Sequence, residues 1–248
     1  MAEPRVAIVT GGVTGIGLAI ARALAGQGHR VAVGARRVQE ATQDGDLLAL
    51  PLDVCSEGSV ATFCDDVRAA LGPVGILVNA AGIEHVAPTP ELSLADWARV
   101  IDTNLTGPFL MTRAVLPEMI GAGWGRIVNI ASTAAHTAMP DHAPYCASKA
   151  GLLGLTRVTA LEGAPHGVTC TSVSPTWVET DMLRASAARM AAEKGIAQAE
   201  EIANLAQANP QNRLVQPEEI AALVAFLCSE AAPALTMEDI SVNAGAHW

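Results

Sequence analysis

Thr10-Gly11-Gly12-Val13-Thr14-Gly15-Ile16-Gly17 is the stretch on which the fold turns. It follows a short β-branched run, Val6 to Thr10, and opens an Ala/Leu-rich stretch, Ile16 to Gln27, with apolar residues at helical spacing. Glycines at such a strand–helix junction let the backbone turn sharply and approach a pyrophosphate. The helix N-terminus supplies free N–H groups and the positive end of its dipole. The spacing, G-x-x-x-G-x-G, is a variant of the common dinucleotide pattern G-x-G-x-x-G, and its place in the first strand–helix unit is the context that pattern requires. Gly11, Thr14, Gly15, Ile16 and Gly17 are therefore expected to hold cofactor phosphates.

Outward from this turn, strand-like and helix-like segments alternate. The strand candidates are Val31 to Val33, Leu47 to Leu52, Ile76 to Val78, Arg126 to Ile130, Val168 to Val173 and Asp239 to Val242. The helical stretches are Ser59 to Leu71, Leu94 to Ile120 and Ala147 to Glu162. This alternation predicts an α/β fold, a doubly wound parallel sheet. No repeat or linker divides the chain, so one domain is expected over residues 1–248. Between Arg37 and Leu47 there is no room for a crossover helix, which predicts one short helical turn or a loop. Asp181 to Gln216 is a long Ala/Glu/Gln/Asn-rich insertion, expected to be a helical lid over the carboxyl edge of the sheet.

Composition narrows the function. The chain has 248 residues, half of them hydrophobic, enough for a substantial core. With 15 Lys plus Arg against 25 Asp plus Glu the net charge is −10, and no basic face for nucleic acid is expected. Five scattered cysteines without a CxxC pair argue against a disulfide framework or a zinc site, and no metal is expected. No signal peptide is read at the start, and the longest apolar run, Ile220 to Cys228, is too short to span a bilayer. A cytoplasmic protein with no membrane partner is expected.

The second strand candidate runs into Gly34-Ala35-Arg36-Arg37. An NAD site places a carboxylate here to hold the ribose 2′-OH. Ala35 stands at that position, and Arg36 and Arg37 offer guanidiniums that pair with a 2′-phosphate. NADP(H) is therefore favoured over NAD(H).

Tyr145 and Lys149 lie four residues apart and share a helix face. Tyr145 is the single tyrosine, and Lys149 is one of two lysines among the 15 Lys plus Arg. A phenol ordinarily titrates near 10. A neighbouring ammonium favours the phenolate and makes the hydroxyl a usable proton donor and acceptor. Ser132, at the end of the Arg126 to Ile130 strand, can hydrogen-bond a substrate carbonyl beside that hydroxyl.

Together the Thr10–Gly17 turn, Asp53-Val54, Asn79-Ala80-Ala81-Gly82, Asn104, Ser132, Tyr145-x-x-x-Lys149 and Pro175 through Thr180 resemble the short-chain dehydrogenase/reductase family over essentially the whole chain. The resemblance implies a Rossmann-type domain with a seven-stranded sheet, often a homotetramer, and hydride transfer between a nicotinamide and a carbinol carbon. It implies that Tyr145 is the acid/base, that Lys149 holds the ribose and lowers the phenol pKa, that Ser132 positions the carbonyl, and that Asn104 binds a relay water. It places Asp53 and Val54 beside the adenine, Asn79, Ala80, Ala81 and Gly82 beside the adenosine ribose, and Pro175, Val178 and Thr180 against the rest of the cofactor. Three features depart from the family pattern: Ala80 for the usual second Asn, Thr176 for a Gly, and the short connection after Arg37.

The same resemblance puts Glu84, His85, His136, His142, Trp177 and Met182 near the substrate, with Ser132 and Tyr145. Several segments look most like polyketide ketoreductases and secondary-alcohol dehydrogenases, so a small aryl or alicyclic ketone or its alcohol is the expected partner. A 3-oxoacyl thioester on coenzyme A or a carrier protein is the rival substrate; only Arg184, Arg189 and Lys194 near the lid would meet its phosphates. A redox-silent NADP(H)-sensing protein is the alternative of a different class. Small Ala and Gly positions along Leu94 to Ile120 and Ala147 to Glu162 suit close packing between subunits, and Ala246-His247-Trp248 is expected to reach a neighbour.

Overall fold

The computed structural model describes residues 3–246. In chain order the elements are β1 (Val6–Thr10), α1 (Gly15–Gly26), β2 (Arg30–Ala35), β3 (Thr42–Asp44), β4 (Leu47–Pro51), α2 (Glu57–Leu71), β5 (Val74–Asn79), α3 (Leu94–Ile101), α4 (Gly107–Ala122), β6 (Gly125–Ile130), α5 (Ala143–Gly163), β7 (Val168–Pro175), α6 (Asp181–Lys194), α7 (Gln198–Ala208), α8 (Pro217–Leu227) and β8 (Asp239–Val242). The sheet order is β3-β4-β2-β1-β5-β6-β7-β8. All neighbours are parallel except the β3–β4 pair. The order reverses between β1 and β5, so a crevice opens there at the carboxyl ends of the strands, where ligands bind in doubly wound sheets.

The β-branched runs form strands because both sheet faces are covered. Successive residues of β1 enter opposite cores. Ala7 and Val9 pack with Ile20, Leu24 and Val224 on the α1/α8 side. Val6 and Ile8 pack with Phe63, Val67, Met111 and Val115 on the α2/α4 side. Such two-sided burial explains why these strands read as unbroken apolar runs.

The structure departs from the sequence expectations in two places. The Arg37–Leu47 connection contains β3, an eighth, antiparallel edge strand, in place of a helical turn or plain loop. Thr42 pairs with Ala49 and Asp44 with Leu47, leaving Gly45-Asp46 as a two-residue hairpin loop. Gly45 has φ +57°, the conformation such a loop requires. The stretch Leu94 to Ile120 is also not one helix. Pro108 lacks an N–H and cannot close the helical bond to the Asn104 carbonyl. A π-helical turn, Asp102–Thr106, separates α3 from α4, and the Gly107 N–H reaches back five residues to the Asp102 carbonyl. Asp181 to Gln216 forms the helical hairpin α6–α7, joined through the buried side chains of Leu183, Ala187, Leu205 and Leu214. His247 and Trp248, expected to reach a neighbouring subunit, lie outside the described residues.

Candidate active site

The glycine turn leaves the N-terminus of α1 open. Thr14 is its N-cap residue but makes no side-chain capping bond, and the first turn holds no carboxylate. The Thr14 hydroxyl instead accepts from Arg37 Nη2 at 2.6 Å. The N–H groups of Gly15, Ile16 and Gly17 therefore have no protein partner, and Ile16 lines the cleft. Gly11, at φ +66°, lets the turn lie against the backbone after β5: a Cβ there would stand 2.9 Å from Ala81 Cα. Gly17 lets α1 sit on the turn, since its Cβ would stand 2.5 Å from the Gly11 carbonyl oxygen. Thr10, which the sequence reading did not single out, locks the loop opposite by accepting from the N–H groups of both Ala80 and Ala81 at 3.1 Å.

Two adjoining clefts meet at Gly82. The smaller, of about 270 Å³, is lined by Gly11, Thr14, Arg36, Arg37, Asp53, Val54 and Ala81, with Ala35 at its wall. The larger, of about 590 Å³, is lined by Ile16, Ala80, Ser132, Tyr145, Lys149, Pro175, Val178 and Thr180, with Glu84, Trp177 and Met182. Gly15, Gly17 and Asn79 do not line either. Asn79 is buried behind the cleft, where its Nδ2 donates to Asn129 Oδ1 at 2.8 Å and Asn129 Nδ2 donates to Thr156 Oγ1 at 2.9 Å. This ladder ties β5 and β6 to α5, the helix that carries Tyr145 and Lys149. Thr133, Thr137, Met139 and Pro140 also line the larger cavity. They were missed because the loop after β6 carries no chemical pattern beyond Ser132.

The three histidines placed near the substrate by resemblance do not line either cavity. His85 Nδ1 meets Arg99 Nη2 at 3.2 Å, and its other nitrogen faces Asp96. His136 Nε2 lies 2.6 Å from Asp239 Oδ2, and His142 Nδ1 lies 2.6 Å from the Pro140 carbonyl. Each ring is held by a local partner that competes with any ligand.

Ser132, Tyr145 and Lys149 converge on one wall of the larger cavity. The Ala134 N–H donates to Ser132 Oγ at 3.1 Å, so the serine hydroxyl proton remains available to donate into the cavity. Lys149 is 5% exposed and donates to the Ile130 carbonyl at 2.7 Å, with Nζ 5.7 Å from the Tyr145 ring centroid. Burial pushes its pKa down to about 8. Burial likewise pushes the Tyr145 phenol up to about 12; the Ser132 hydroxyl opposes this, and Glu84 and Cys146 add to it. The sequence reading expected Lys149 to lower the phenol pKa. In the chain alone removal from water is the largest influence on the phenol, and the Lys149 Nζ is turned to a backbone carbonyl. Tyr145 is thus a protonated phenol throughout the neutral range.

Asn104 sits on the π-helical turn. Its side chain brackets Ile83, accepting from the N–H and donating to the carbonyl at 2.9 Å each, and donates to Ser148 Oγ at 3.0 Å. A Cβ on Gly82 would stand 3.5 Å from Asn104 Oδ1 and 3.6 Å from Lys149 Nζ, so both groups border the space at Gly82.

The residues present fit a nicotinamide dinucleotide: an uncapped helix N-terminus, glycines where a side chain would collide, and guanidiniums beside Ala35. Among the described residues no cluster of His, Cys, Asp and Glu could hold a metal ion, and no helix is long and apolar enough to cross a membrane.

Comparison with known proteins agrees with this geometry. A family model described as Enoyl-(Acyl carrier protein) reductase matches residues 11–247. D-threitol dehydrogenase of Mycolicibacterium smegmatis is 39% identical over 98% of this chain and 93% of its own. Acetoacetyl-CoA reductase of Rhizobium meliloti is 39% identical over 98% of this chain and 99% of its own. An actinorhodin polyketide ketoreductase variant solved with NADPH superposes with a TM-score of 0.92, at 36% identity and full coverage of both chains.

Proposed function

The chain belongs to the short-chain dehydrogenase/reductase family, and we propose that this oxidoreductase reduces a small aryl or alicyclic ketone to a secondary alcohol with NADPH. The observation that carries the reading is the convergence of Ser132, Tyr145 and Lys149 on a cavity that joins the glycine-turn cleft. When bound, the nicotinamide supplies the hydride, or takes it in the reverse direction.

The chain's own groups do the rest. Ser132, its oxygen already accepting from Ala134, donates a hydrogen bond to the substrate carbonyl, keeps its proton and fixes the carbonyl's orientation. Tyr145 gives its proton to that oxygen as charge develops on it. A phenol pushed up to about 12 carries its proton near neutral pH and can give it to the carbonyl oxygen. Lys149, with Asn104 bordering the same space, holds the ribose and provides the route by which Tyr145 is reprotonated. The first turn of α1 takes the pyrophosphate, and Arg36 and Arg37 take the 2′-phosphate. Two departures from the family pattern leave this cradle intact. The N–H of Ala80 is bound by Thr10, and Thr176 lines the cavity wall.

A second reading, reduction of a 3-oxoacyl thioester, is favoured by the acetoacetyl-CoA reductase among the relatives. The basic groups near the lid weigh against it. Arg184 pairs with Glu179, Arg189 with Glu193, and Lys194 with Glu201, so each has a carboxylate partner that a thioester's phosphates would have to displace. We further infer a homotetramer, supported by exposed apolar side chains on α4 and α5, among them Phe109, Val158 and Leu161. NADPH oxidation with cyclohexanone, an aryl ketone and acetoacetyl-CoA tests the reading. Turnover of the free ketones is expected, and activity confined to the thioester would replace it with the second reading.

A further inference from the structure

We propose that Glu84 selects the substrate by accepting a hydrogen bond from a second hydroxyl group held in the same cavity as the reacting carbon, so that the site prefers neutral hydroxyketones and diols to plain ketones. The proposal rests on the ketone-reductase reading above and names the substrate class within it.

Of the side chains that line the larger cavity, only Glu84 and Lys149 carry charge. Lys149 is committed to the Ile130 carbonyl and is almost wholly buried. Glu84 comes from the loop after β5 and sits among apolar walls that include Ala131, Ala138, Met139, Trp177 and Met182. Its Oε1 accepts from Ser186 Oγ of the lid helix α6. Ser186 has one hydroxyl proton and a second acceptor in reach, the Met182 carbonyl at 3.0 Å. Among the described residues no other donor and no cation pairs with the Glu84 carboxylate. Oε2 therefore has no protein partner in a cavity whose other walls are mostly apolar.

Glu84 is half-buried and its Oε2 is open to the cleft, where a ligand hydroxyl can take the place of solvent. A ligand hydroxyl that reaches this oxygen makes a hydrogen bond to a charged group, which is the strong kind. Glu84 and Tyr145 line the same cavity, so a ligand that meets the Tyr145 hydroxyl shares the space with the carboxylate. A ligand carboxylate at the same place meets like charge. Recognition of this kind discriminates because a ligand that covers the carboxylate without offering a hydroxyl shuts it off from water and leaves it unpaired.

The test compares kcat/KM for 2- and 3-hydroxycyclohexanone with that for cyclohexanone, using NADPH, in wild type, Glu84→Gln, Glu84→Ala and Ser186→Ala. Wild type should favour the better hydroxyketone by about ten- to a hundredfold. Glu84→Ala should bring that ratio to near one, with Glu84→Gln between. Ser186→Ala, which loosens the lid contact but keeps the carboxylate, should move all three substrates together and keep the ratio. Calorimetric binding of trans-1,2-cyclohexanediol against cyclohexanol to the NADP-loaded protein gives the same comparison without turnover. A wild-type ratio near one, or one unchanged in Glu84→Ala, overturns the proposal. If none of the three ketones turns over, the ketone-reductase reading fails, and the calorimetric preference alone then decides the role of Glu84.

Discussion

Lys149→Met should stabilise the cofactor-free protein at neutral pH while abolishing turnover. Burial lowers the Lys149 pKa from 10.5 to about 8, largely because the ammonium gives up water for a single carbonyl partner. At about 1.4 kcal/mol per unit, that gap corresponds to a folding penalty of roughly 3 kcal/mol where the amine is charged in both states. Methionine loses the bond to Ile130, worth about 1 kcal/mol, and fills much of the same volume. A net gain of about 1–2 kcal/mol near pH 7 is expected. The sign follows from linkage. Between about pH 8 and 10.5 the unfolded chain keeps a proton that the folded chain has released, so this group's contribution to stability rises with pH across that window. The advantage of the Lys149→Met variant over wild type should therefore be largest below about pH 8 and shrink toward about pH 10. Urea unfolding of both proteins at about pH 7 and about pH 10 measures it, and the difference cancels groups common to both. Among these is Cys64, whose thiol burial pushes up to about 11. A difference between the two proteins that is the same at both pH values would refute the reasoning.

Three further outcomes follow from the geometry. Arg36→Ala with Arg37→Ala should weaken NADPH far more than NADH, at roughly 1.5–3 kcal/mol for each charged contact, and Ala35→Asp should shift the preference the same way; steady-state kinetics with both cofactors check this, and a clear wild-type NADH preference would contradict it. Gly17→Ala puts a methyl 2.5 Å from the Gly11 carbonyl oxygen, so the turn must shift, and NADPH affinity by fluorescence titration should fall at least about tenfold. Light scattering at micromolar concentration should give the mass of four chains, and a monomer mass would exclude the tetramer.

The glycine turn, the strand runs and the Ser132/Tyr145/Lys149 constellation were legible because each follows local rules. A parallel strand buried on both faces must be apolar along its length, as Val6 to Val9 is. A Tyr and a Lys four apart in a helix must share a face. What escaped was of two kinds. Some signals were present but unweighted: Gly45-Asp46 is a hairpin pair, and Pro108 announces the break that produces the π-helical turn under Asn104. Others depend on the assembled fold. Nothing local brings Ser186 to Glu84, a separation of 102 residues. No pattern says that His136 turns to Asp239 on β8 rather than to the substrate. The phenol's pKa is of this second kind too, since burial at the cleft wall, not spacing to Lys149, sets its direction.

The central claim is that Tyr145 delivers the proton in a hydride-transfer reaction. Tyr145→Phe keeps the ring that packs beside Lys149 and deletes only the hydroxyl. The direct measurement is kcat with NADPH and a turned-over ketone, alongside NADPH affinity, in wild type and Tyr145→Phe. The account predicts a fall in kcat of about 100- to 10,000-fold with NADPH still bound; turnover within a few-fold of wild type would contradict it.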